Sequence, residues 1–146
     1  MLAGPAPNVV DAENAPPDVA PDLEVYRLTA TSKVAAIKEL VDHLSRRQAV
    51  ADGLQFLQSV LTRENLESTI VADAVALPHA RCRSALRLAA AVGVAQPPLQ
   101  YASGDDLRRV SVICLIAVPT HAPGRYLEWM GALARRLNQP EVRSRL

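Results

Sequence analysis

Two neighbouring stretches of the sequence carry residue types that can do chemistry. The first contains Arg63, Ser68 and Thr69, and the second, shortly after it, contains His79 and Arg81. A neutral imidazole is a nucleophile at physiological pH, and a guanidinium binds anionic oxygens through paired hydrogen bonds. By residue type alone, however, a single histidine is more often a structural or surface residue than a nucleophile. The pattern is therefore compatible with group transfer at His79 but does not establish it.

The three histidines do not indicate a metal site. No two of His43, His79 and His121 have the spacing of metal ligands, and no carboxylate cluster accompanies them. Cys82 follows His79 by three residues, which would pair thiol and imidazole only in a helix, whereas the local pattern predicts strand and loop. We therefore expect neither a metal centre nor a cysteine nucleophile.

Composition predicts one globular domain of a cytoplasmic protein. The chain has 146 residues, of which 49% are hydrophobic and 21% charged. Its net charge of +1 and its 3% aromatic content argue against nucleic-acid binding, which usually needs a basic patch. The two cysteines suggest no disulfide framework, the beginning of the chain lacks a secretory signal, and no apolar run is long enough to insert into a membrane.

The chain divides into a tail and a domain. Residues 1–22 are rich in proline and alanine and bury too little apolar surface to offset their ordering entropy, so we expect a flexible tail. Residues 23–146 contain the periodic apolar patterns of a folded domain.

The first half of this domain is predicted to hold an edge strand and two helices. The strand spans Val25–Leu28, and Thr31 or Ser32 can cap a helix that runs to about Arg47. A second helix is predicted from Asp52 to about residue 63. The predicted buried positions are Ile37, Leu40, Val41 and Leu44 in the first helix, and Leu54, Leu57, Val60 and Leu61 in the second.

Strands dominate the second half. Short strands are predicted at Val75–Leu77 and Leu86–Ala95, followed by a polar, turn-rich stretch over Pro97–Arg109. The β-branched run Val110–Val118 predicts a central strand that is buried on both faces.

Two helices should follow the central strand. The first spans about Arg125–Leu137, and the predicted buried positions on it are Leu127, Met130, Ala134 and Leu137. Pro140 is well placed to begin the second. Helices followed by strands and further helices indicate an α/β domain, a single-domain sandwich with a mixed β-sheet flanked by helices.

The two reactive stretches together resemble a family signature. Arg63-Glu64, then Ser68-Thr69, then residues 75–81 (VALPHAR) are similar to the enzyme IIA components of fructose, mannitol and nitrogen-regulatory type in the bacterial phosphotransferase system. The similarity extends over residues 23–146 and includes Thr29–Lys33 and Leu115–Pro119.

The resemblance implies a phosphocarrier with a mannitol-type enzyme IIA fold, and thus a phosphotransferase component if it is active. His79 would accept a phosphoryl group from the histidine-containing phosphocarrier protein and pass it to an enzyme IIB, or signal to a regulated target protein. The output would be sugar uptake or nitrogen or potassium regulation. Arg63 would stabilise the phosphoryl group, Ser68 and Thr69 would donate hydrogen bonds, and Arg81 is a second cationic candidate. No metal or organic cofactor is implied.

The sequence departs from the family at three places. Ile70, Ala72 and Ala74 stand where the family commonly has glycines, so we expect the loop to take another path. Tyr126 falls where the family has its second active-site histidine, and the C-terminal helix looks truncated. These differences leave two alternatives open, a transfer-impaired interaction or regulatory module and a docking domain of an anion-transporter-like protein.

Overall fold

The fold was analysed in a computed structural model that describes residues 23–122 and 124–146. The predicted tail, residues 1–22, lies outside the described residues. The elements in chain order are β1 (Leu23–Arg27), α1 (Lys33–Arg46), α2 (Gly53–Leu66), β2 (Ile70–Ala72), β3 (Val75–Ala76), β4 (His79–Arg81), β5 (Ala89–Ser103), β6 (Asp106–Val118), α3 (Tyr126–Leu137) and α4 (Pro140–Arg143).

The strands form one mixed sheet. Its order is β1-β5-β6-β3-β2, and β4 also pairs with β6. β5 and β6 are antiparallel, whereas β1 is parallel to β5, and β3 and β4 are parallel to β6. Residues 110 and 112–118 of β6 are buried, so the predicted central strand and the predicted edge strand are both confirmed.

Helix α1 follows its apolar periodicity. Ser32 caps its first turn by accepting a hydrogen bond from the backbone N–H of Ala35 at 3.4 Å. All four predicted positions of its apolar stripe are buried against the sheet (Ile37, Leu40, Val41 and Leu44). The prediction for α1 is therefore confirmed.

Helix α2 departs from its prediction in two ways. It continues to Leu66, which places Arg63 in its last turn instead of at its end. Its fully buried positions are Phe56, Val60 and Glu64, while Leu54 is 68% exposed. The prediction was therefore wrong at Leu54 and confirmed at Val60, and Leu57 and Leu61 are partly buried against the core. The burial of Glu64 was missed, because a buried carboxylate does not stand out in a hydrophobic pattern.

Helix α3 packs on the opposite face of the sheet from α1 and α2. Its buried residues are Trp129, Ala132, Leu133 and Leu137, whereas the predicted core residue Leu127 is 59% exposed. The large indole buries more apolar surface than any competing side chain and so decides which face packs inward. The prediction was therefore wrong at Leu127 and confirmed at Leu137. Met130 and Ala134 are partly buried and pack against the core. α4 begins at Pro140, as predicted.

The stretch over Pro97–Arg109 is not a run of turns. β5 continues through it to Ser103 and forms a hairpin with β6, and the only turn lies at residues 104–105. The two prolines are accommodated because the pairing register shifts between Val94 and Leu99, at an irregularity where no ladder hydrogen bond is required. The predicted turn-rich stretch was therefore wrong, because Pro97 and Pro98 lie within a long strand.

The segment before β3 takes an extended path. Ile70–Ala72 form β2, which pairs antiparallel with β3. Among the described residues other than glycine, only Gln48 has a positive φ. Ile70 is therefore unstrained, and its side chain needs no glycine-like backbone.

Candidate functional site

His79 begins the short strand β4, at the carboxyl-terminal end of β6. Its partner in the parallel ladder is Ile116, whose N–H also donates to the carbonyl of Pro78 at 3.0 Å. The imidazole is partly exposed, and its Nδ1 lies 2.9 Å from the carbonyl oxygen of Leu77. A carbonyl only accepts hydrogen bonds, so Nδ1 carries the proton and the lone pair of the neutral ring is on Nε2.

The surroundings of His79 favour this neutral ring. Burial lowers the pKa of His79 from its ordinary value of 6.5, and the positive charge of Arg63 lowers it further, against the opposing effects of the Leu77 carbonyl and Glu64. An imidazole with a lowered pKa is unprotonated at neutral pH and can act as a nucleophile.

Arg63 lines the same groove as His79. Its guanidinium donates from Nη1 to the carbonyl oxygen of Glu67 at 2.7 Å, and Nη2 lies 3.7 Å from the Glu67 carboxylate. The last turn of α2 thus supplies the cation, and the residue that follows the helix fixes its direction. The sequence prediction that a guanidinium stands near the imidazole agrees with this placement, and the role of Arg63 stays a prediction.

The groove has a polar and an apolar wall. It encloses about 280 Å³ and is lined by Arg63, Ser68, Thr69, Val71, Leu77, His79, Leu127, Met130, Gly131 and Ala134. The polar wall comes from the end of α2 and the segment after it, and the apolar wall comes from the α3 face that the sequence pattern assigned to the core. We call the α3 wall, Leu127, Met130 and Ala134, the apolar rim.

Ser68 and Thr69 line the groove, but their hydroxyls have partners within the protein. Ser68 Oγ accepts from the N–H of Ile70 at 3.2 Å. Thr69 Oγ1 donates to the carboxylate of Glu64. Hydrogen bonds from these hydroxyls to a phosphoryl group therefore stay a prediction, and the contacts show that both residues shape the polar wall.

Arg81 and Tyr126 are brought together, but neither lines the groove. The Arg81 guanidinium donates to the carbonyls of Thr120 at 2.8 Å and Ala122 at 3.0 Å, and lies 5.5 Å from the centre of the Tyr126 ring. Arg81 thus ties the loop before α3 to β4. His121, in the same loop, is exposed.

A buried polar cluster beneath the groove escaped sequence analysis. Glu64 is 1% exposed, and its Oε1 pairs with Lys33 Nζ at 2.9 Å. Lys33 also donates to the carbonyl of Ala102 and lies 4.6 Å from the ring centre of Tyr101, whose pKa is raised by burial and by Glu64. Ser103 completes the cluster next to Thr69. A charged residue is rarely buried without a partner. A prediction that Glu64 is buried would therefore have indicated this cluster, and the sequence gives no other signal of it.

The other site chemistries considered from the sequence find no support in the described part of the chain. Cys82 follows a strand instead of lying on a helix, and its Sγ contacts Ser84 Oγ at 3.2 Å. Residues 23–122 and 124–146 contain no group of three histidine, cysteine, aspartate or glutamate side chains suited to a metal ion. Within the same ranges, no helix has the length and apolar character needed to cross a bilayer.

His79 and Arg63 thus share one groove on a mixed sheet flanked by helices, the fold and site expected of a histidine phosphocarrier domain. Residues 21–146 match the family model described as "Phosphoenolpyruvate-dependent sugar phosphotransferase system, EIIA 2". The chain belongs to this family, which confirms the resemblance inferred from its motifs.

One curated relative is a transport protein. The chain is 31% identical over 117 residues to the PTS system 2-O-alpha-mannosyl-D-glycerate-specific EIIABC component of Escherichia coli K12, covering 80% of this chain and 18% of that protein. The chain thus spans about a fifth of the length of this relative.

Two solved structures share the fold. The nitrogen regulatory protein IIA-Ntr from Neisseria meningitidis superposes with a TM-score of 0.72 at 26% identity, covering 84% of this chain and 85% of that chain. Enzyme IIAMtl from Escherichia coli, solved in complex with phosphorylated enzyme IIBMtl, gives a TM-score of 0.66 at 17% identity over 84% of this chain and 88% of that one. The predicted mannitol-type enzyme IIA fold is therefore confirmed.

Proposed function

We propose that this domain carries a phosphoryl group on Nε2 of His79, taken from the histidine-containing phosphocarrier protein. The hydrogen bond from Nδ1 to the Leu77 carbonyl carries the proposal, because it leaves the Nε2 lone pair as the nucleophile. The presence of Arg63 in the same groove supports it. Neither the acceptor step nor the proposed roles of the site residues require a metal or an organic cofactor.

The transfer follows from these two groups. The Nε2 lone pair attacks phosphorus, a new N–P bond forms, and the N–P bond of the donor phosphohistidine breaks with its electron pair returning to the donor nitrogen. Throughout, Nδ1 keeps its proton and the Leu77 carbonyl stabilises the partial positive charge on the ring. Arg63 offsets the negative charge of the phosphoryl oxygens, since phosphoryl transfer depends mainly on positioning and electrostatic stabilisation.

In the second transfer, the phosphorylated His79 becomes the donor of the phosphoryl group. A cysteine thiolate of an enzyme IIB attacks the phosphorus, an S–P bond forms, and the Nε2–P bond breaks. Complex formation between IIAMtl and phosphorylated IIBMtl in a relative of the same fold supports this partner class. Signalling to a regulated target protein would use the phosphorylated ring without the second transfer, so both sugar uptake and nitrogen or potassium regulation fall within the proposal.

The apolar rim gives partner proteins a surface next to the reacting nitrogen. Leu127 is 59% exposed and lines the groove. We expect Leu127→Glu to raise the KM for the phosphocarrier protein by about tenfold, because a carboxylate cannot be desolvated against an apolar partner surface. Steady-state labelling at varied donor concentration measures this, with kcat changing less than KM.

The matched control for this substitution is Leu54→Glu. Leu54 is 68% exposed in the first turn of α2, whereas Arg63 lies in the last turn. Leu54→Glu should leave the KM unchanged. An equal rise in KM for both variants would show that the effect is one of added charge and not of the apolar rim.

The acidity of His79 offers a direct test of the site electrostatics. Because burial and Arg63 lower the pKa of His79, we expect the imidazole to titrate below pH 6.5, so that its neutral, nucleophilic form predominates at that pH. Protonation would remove the Nε2 lone pair, so phosphoryl acceptance should fall as the pH drops through the lowered pKa. NMR titration of the His79 ring measures the value, and a pKa above 6.5 would contradict the predicted environment.

The experiment that tests the function itself is phosphorylation of the wild-type chain. Purified protein is incubated with phosphoenolpyruvate, enzyme I and the phosphocarrier protein from its own cell, and acid-labile phosphate is measured by intact mass. We expect one phosphoryl group per chain, and its absence would overturn the proposal.

A second candidate, a transfer-impaired interaction module, is favoured by Tyr126. Its ring lies beneath Arg81 and outside the groove. A protein that binds an enzyme IIB but takes no label would support this second candidate.

A further inference from the structure

We propose that Ser103, at the end of β5, is a positioning residue that sets both the tautomer of His79 and the direction of Arg63 through the segment Glu67–Thr69. This inference rests on the proposed function for its kinetic consequence. Its structural consequence, at His79, is measurable without phosphoryl transfer.

The segment Glu67–Thr69 contacts both reactive residues. At its start, the Glu67 carbonyl accepts a hydrogen bond from the Arg63 guanidinium at 2.7 Å. At its end, the Thr69 carbonyl accepts one from the N–H of Leu77 at 2.9 Å. The Leu77 carbonyl in turn accepts from Nδ1 of His79 at 2.9 Å. A displacement of this segment would therefore move the cation and shift Leu77, whose carbonyl fixes the imidazole.

Ser103 holds the segment from below. Its Oγ accepts from the N–H of Thr69 at 2.9 Å and lies 3.3 Å from Thr69 Oγ1, and its side chain is almost fully buried. A chain of hydrogen bonds thus runs from Ser103 through Thr69 and Leu77 to His79. The Ser103 and Thr69 side chains are buried, Leu77 is 4% exposed, and only the His79 ring at the end of the chain is partly exposed.

The hairpin turn keeps Ser103 in place against the segment. Gly104 has a φ of +55° and donates from its N–H to the carbonyl of Glu64 at 2.7 Å. A Cβ atom at this position would lie 2.6 Å from the N atom of Ser68 and 2.9 Å from the carbonyl carbon of Glu67. Only glycine allows the turn this close to the segment, which explains the glycine and shows that the two backbones are in direct contact.

The buried ion pair fixes the same region from its other side. Lys33 bridges Glu64 at 2.9 Å and the carbonyl of Ala102, the residue before Ser103. Glu64 accepts from the hydroxyl of Thr69. The start of α1, the last turns of α2 and the tip of the β5–β6 hairpin are therefore joined at one point beneath the groove.

The test substitution is Ser103→Ala. It removes the acceptor of the Thr69 N–H and leaves that buried donor unpaired, which favours a shift of the segment. In the wild type, ¹⁵N NMR of the His79 ring should show the proton on Nδ1. In Ser103→Ala we expect a larger fraction of rings protonated on Nε2 and a rate of phosphoryl acceptance about tenfold lower, with a smaller change in KM, since small misplacements cost rate.

Two further variants control the measurement. Ser103→Cys keeps a hydrogen-bonding atom at this position, but its sulfur is larger than oxygen and a weaker acceptor, so its tautomer fraction and rate should lie between those of wild type and Ser103→Ala. Ser84→Ala removes another buried serine, which contacts Cys82 and lies outside the cluster, and both readouts should match the wild type. Fluorescence of Trp129, the sole tryptophan, reports whether each variant is folded.

The readouts separate the possible outcomes. An unchanged tautomer in folded Ser103→Ala would overturn the proposal whatever the rate, because the segment would then not control the His79 ring. A lower rate beside an unchanged tautomer would assign the loss to displacement of Arg63 alone. If the wild-type chain takes no phosphoryl group, the proposed function fails, and the tautomer fraction alone decides whether Ser103 positions His79.

Discussion

Replacing His79 with glutamine is expected to abolish acid-labile phosphorylation of the chain. Glutamine has a similar volume and can still donate an amide hydrogen bond to the Leu77 carbonyl, which the imidazole reaches at 2.9 Å in the wild type. It lacks only a nucleophilic nitrogen. Loss of the nucleophile should lower the rate of label incorporation by on the order of 10³-fold or more, down to background.

His79→Ala should lose the label to the same extent. The imidazole is only partly buried at the groove surface, so its truncation leaves the core intact and Trp129 fluorescence should be unchanged. Agreement between the glutamine and alanine variants would assign the loss to the missing nitrogen and not to a disturbed groove.

His121→Ala is the matched control. His121 is exposed in the loop before α3 and is close in sequence to Tyr126, where the family has its second histidine. We expect this variant to take up label at the wild-type rate. Label that persisted on His79→Gln, or that disappeared with His121→Ala, would move the acceptor away from His79 and contradict the proposed function.

The sequence predicted those parts of the fold in which one residue type repeats at a regular interval. The apolar positions of α1 and the β-branched run of β6 are examples, because burial of a continuous stripe or strand leaves its period in the sequence. The family signature likewise brought Arg63 and His79 to attention before any geometry was known, and the structure places both on one groove.

The remaining features depend on competition between faces. Helix α3 offers two apolar faces, and the choice between them is made by the fit of Trp129 against the sheet, which no local pattern encodes. Leu127 was left exposed and Met130 and Ala134 only partly buried, and these three side chains form the apolar rim of the groove. The error in the sequence analysis and the character of the site therefore have the same physical cause.

Long-range contacts were also beyond the sequence. The hydrogen bond between Ser103 and Thr69 joins residues 34 positions apart. It forms only because β5 continues past Pro97 and Pro98, where the composition predicted turns. Nothing near Ser103 in the chain indicates a relation to His79, so that relation appears only once the hairpin is assembled.

Tyr126 has a different environment in the structure from the one its sequence position suggests. By its sequence position, Tyr126 was expected in the site, in place of a second histidine. In the structure its ring lies under the Arg81 guanidinium, which holds the carbonyls of Thr120 and Ala122. Among the described residues that line the groove, His79 is the one histidine and Arg63 the one arginine or lysine.

Arg63→Met should consequently have a large effect on catalysis. Methionine keeps much of the apolar stem but removes the positive charge that offsets the developing charge on the phosphoryl oxygens. We expect kcat for phosphoryl acceptance to fall by about 10²- to 10³-fold, the range seen when one preorganised donor to a developing oxyanion is removed. Single-turnover transfer from the phosphorylated carrier protein measures the chemical step directly.

Arg63→Lys distinguishes charge from geometry. Lysine retains a positive charge and can still reach the Glu67 carbonyl, but it cannot hold that carbonyl and two phosphoryl oxygens in the fixed plane of a guanidinium. The lysine variant should therefore recover part of the rate lost in Arg63→Met. It should also keep the wild-type His79 tautomer, because Leu77 is held by the hydrogen bond from its N–H to the Thr69 carbonyl and not by Arg63.

Arg109→Met provides the comparison for loss of a positive charge elsewhere. Arg109 lies on β6, donates to the carbonyl of Pro98 at 3.3 Å and is exposed, outside the residues that line the groove. Its replacement should leave the single-turnover rate at the wild-type value. Equal losses in Arg63→Met and Arg109→Met would mean that the donor protein is attracted by overall charge. A wild-type rate in folded Arg63→Met would show that the guanidinium takes no part in the transfer step, because no other arginine or lysine lines the described groove to replace it.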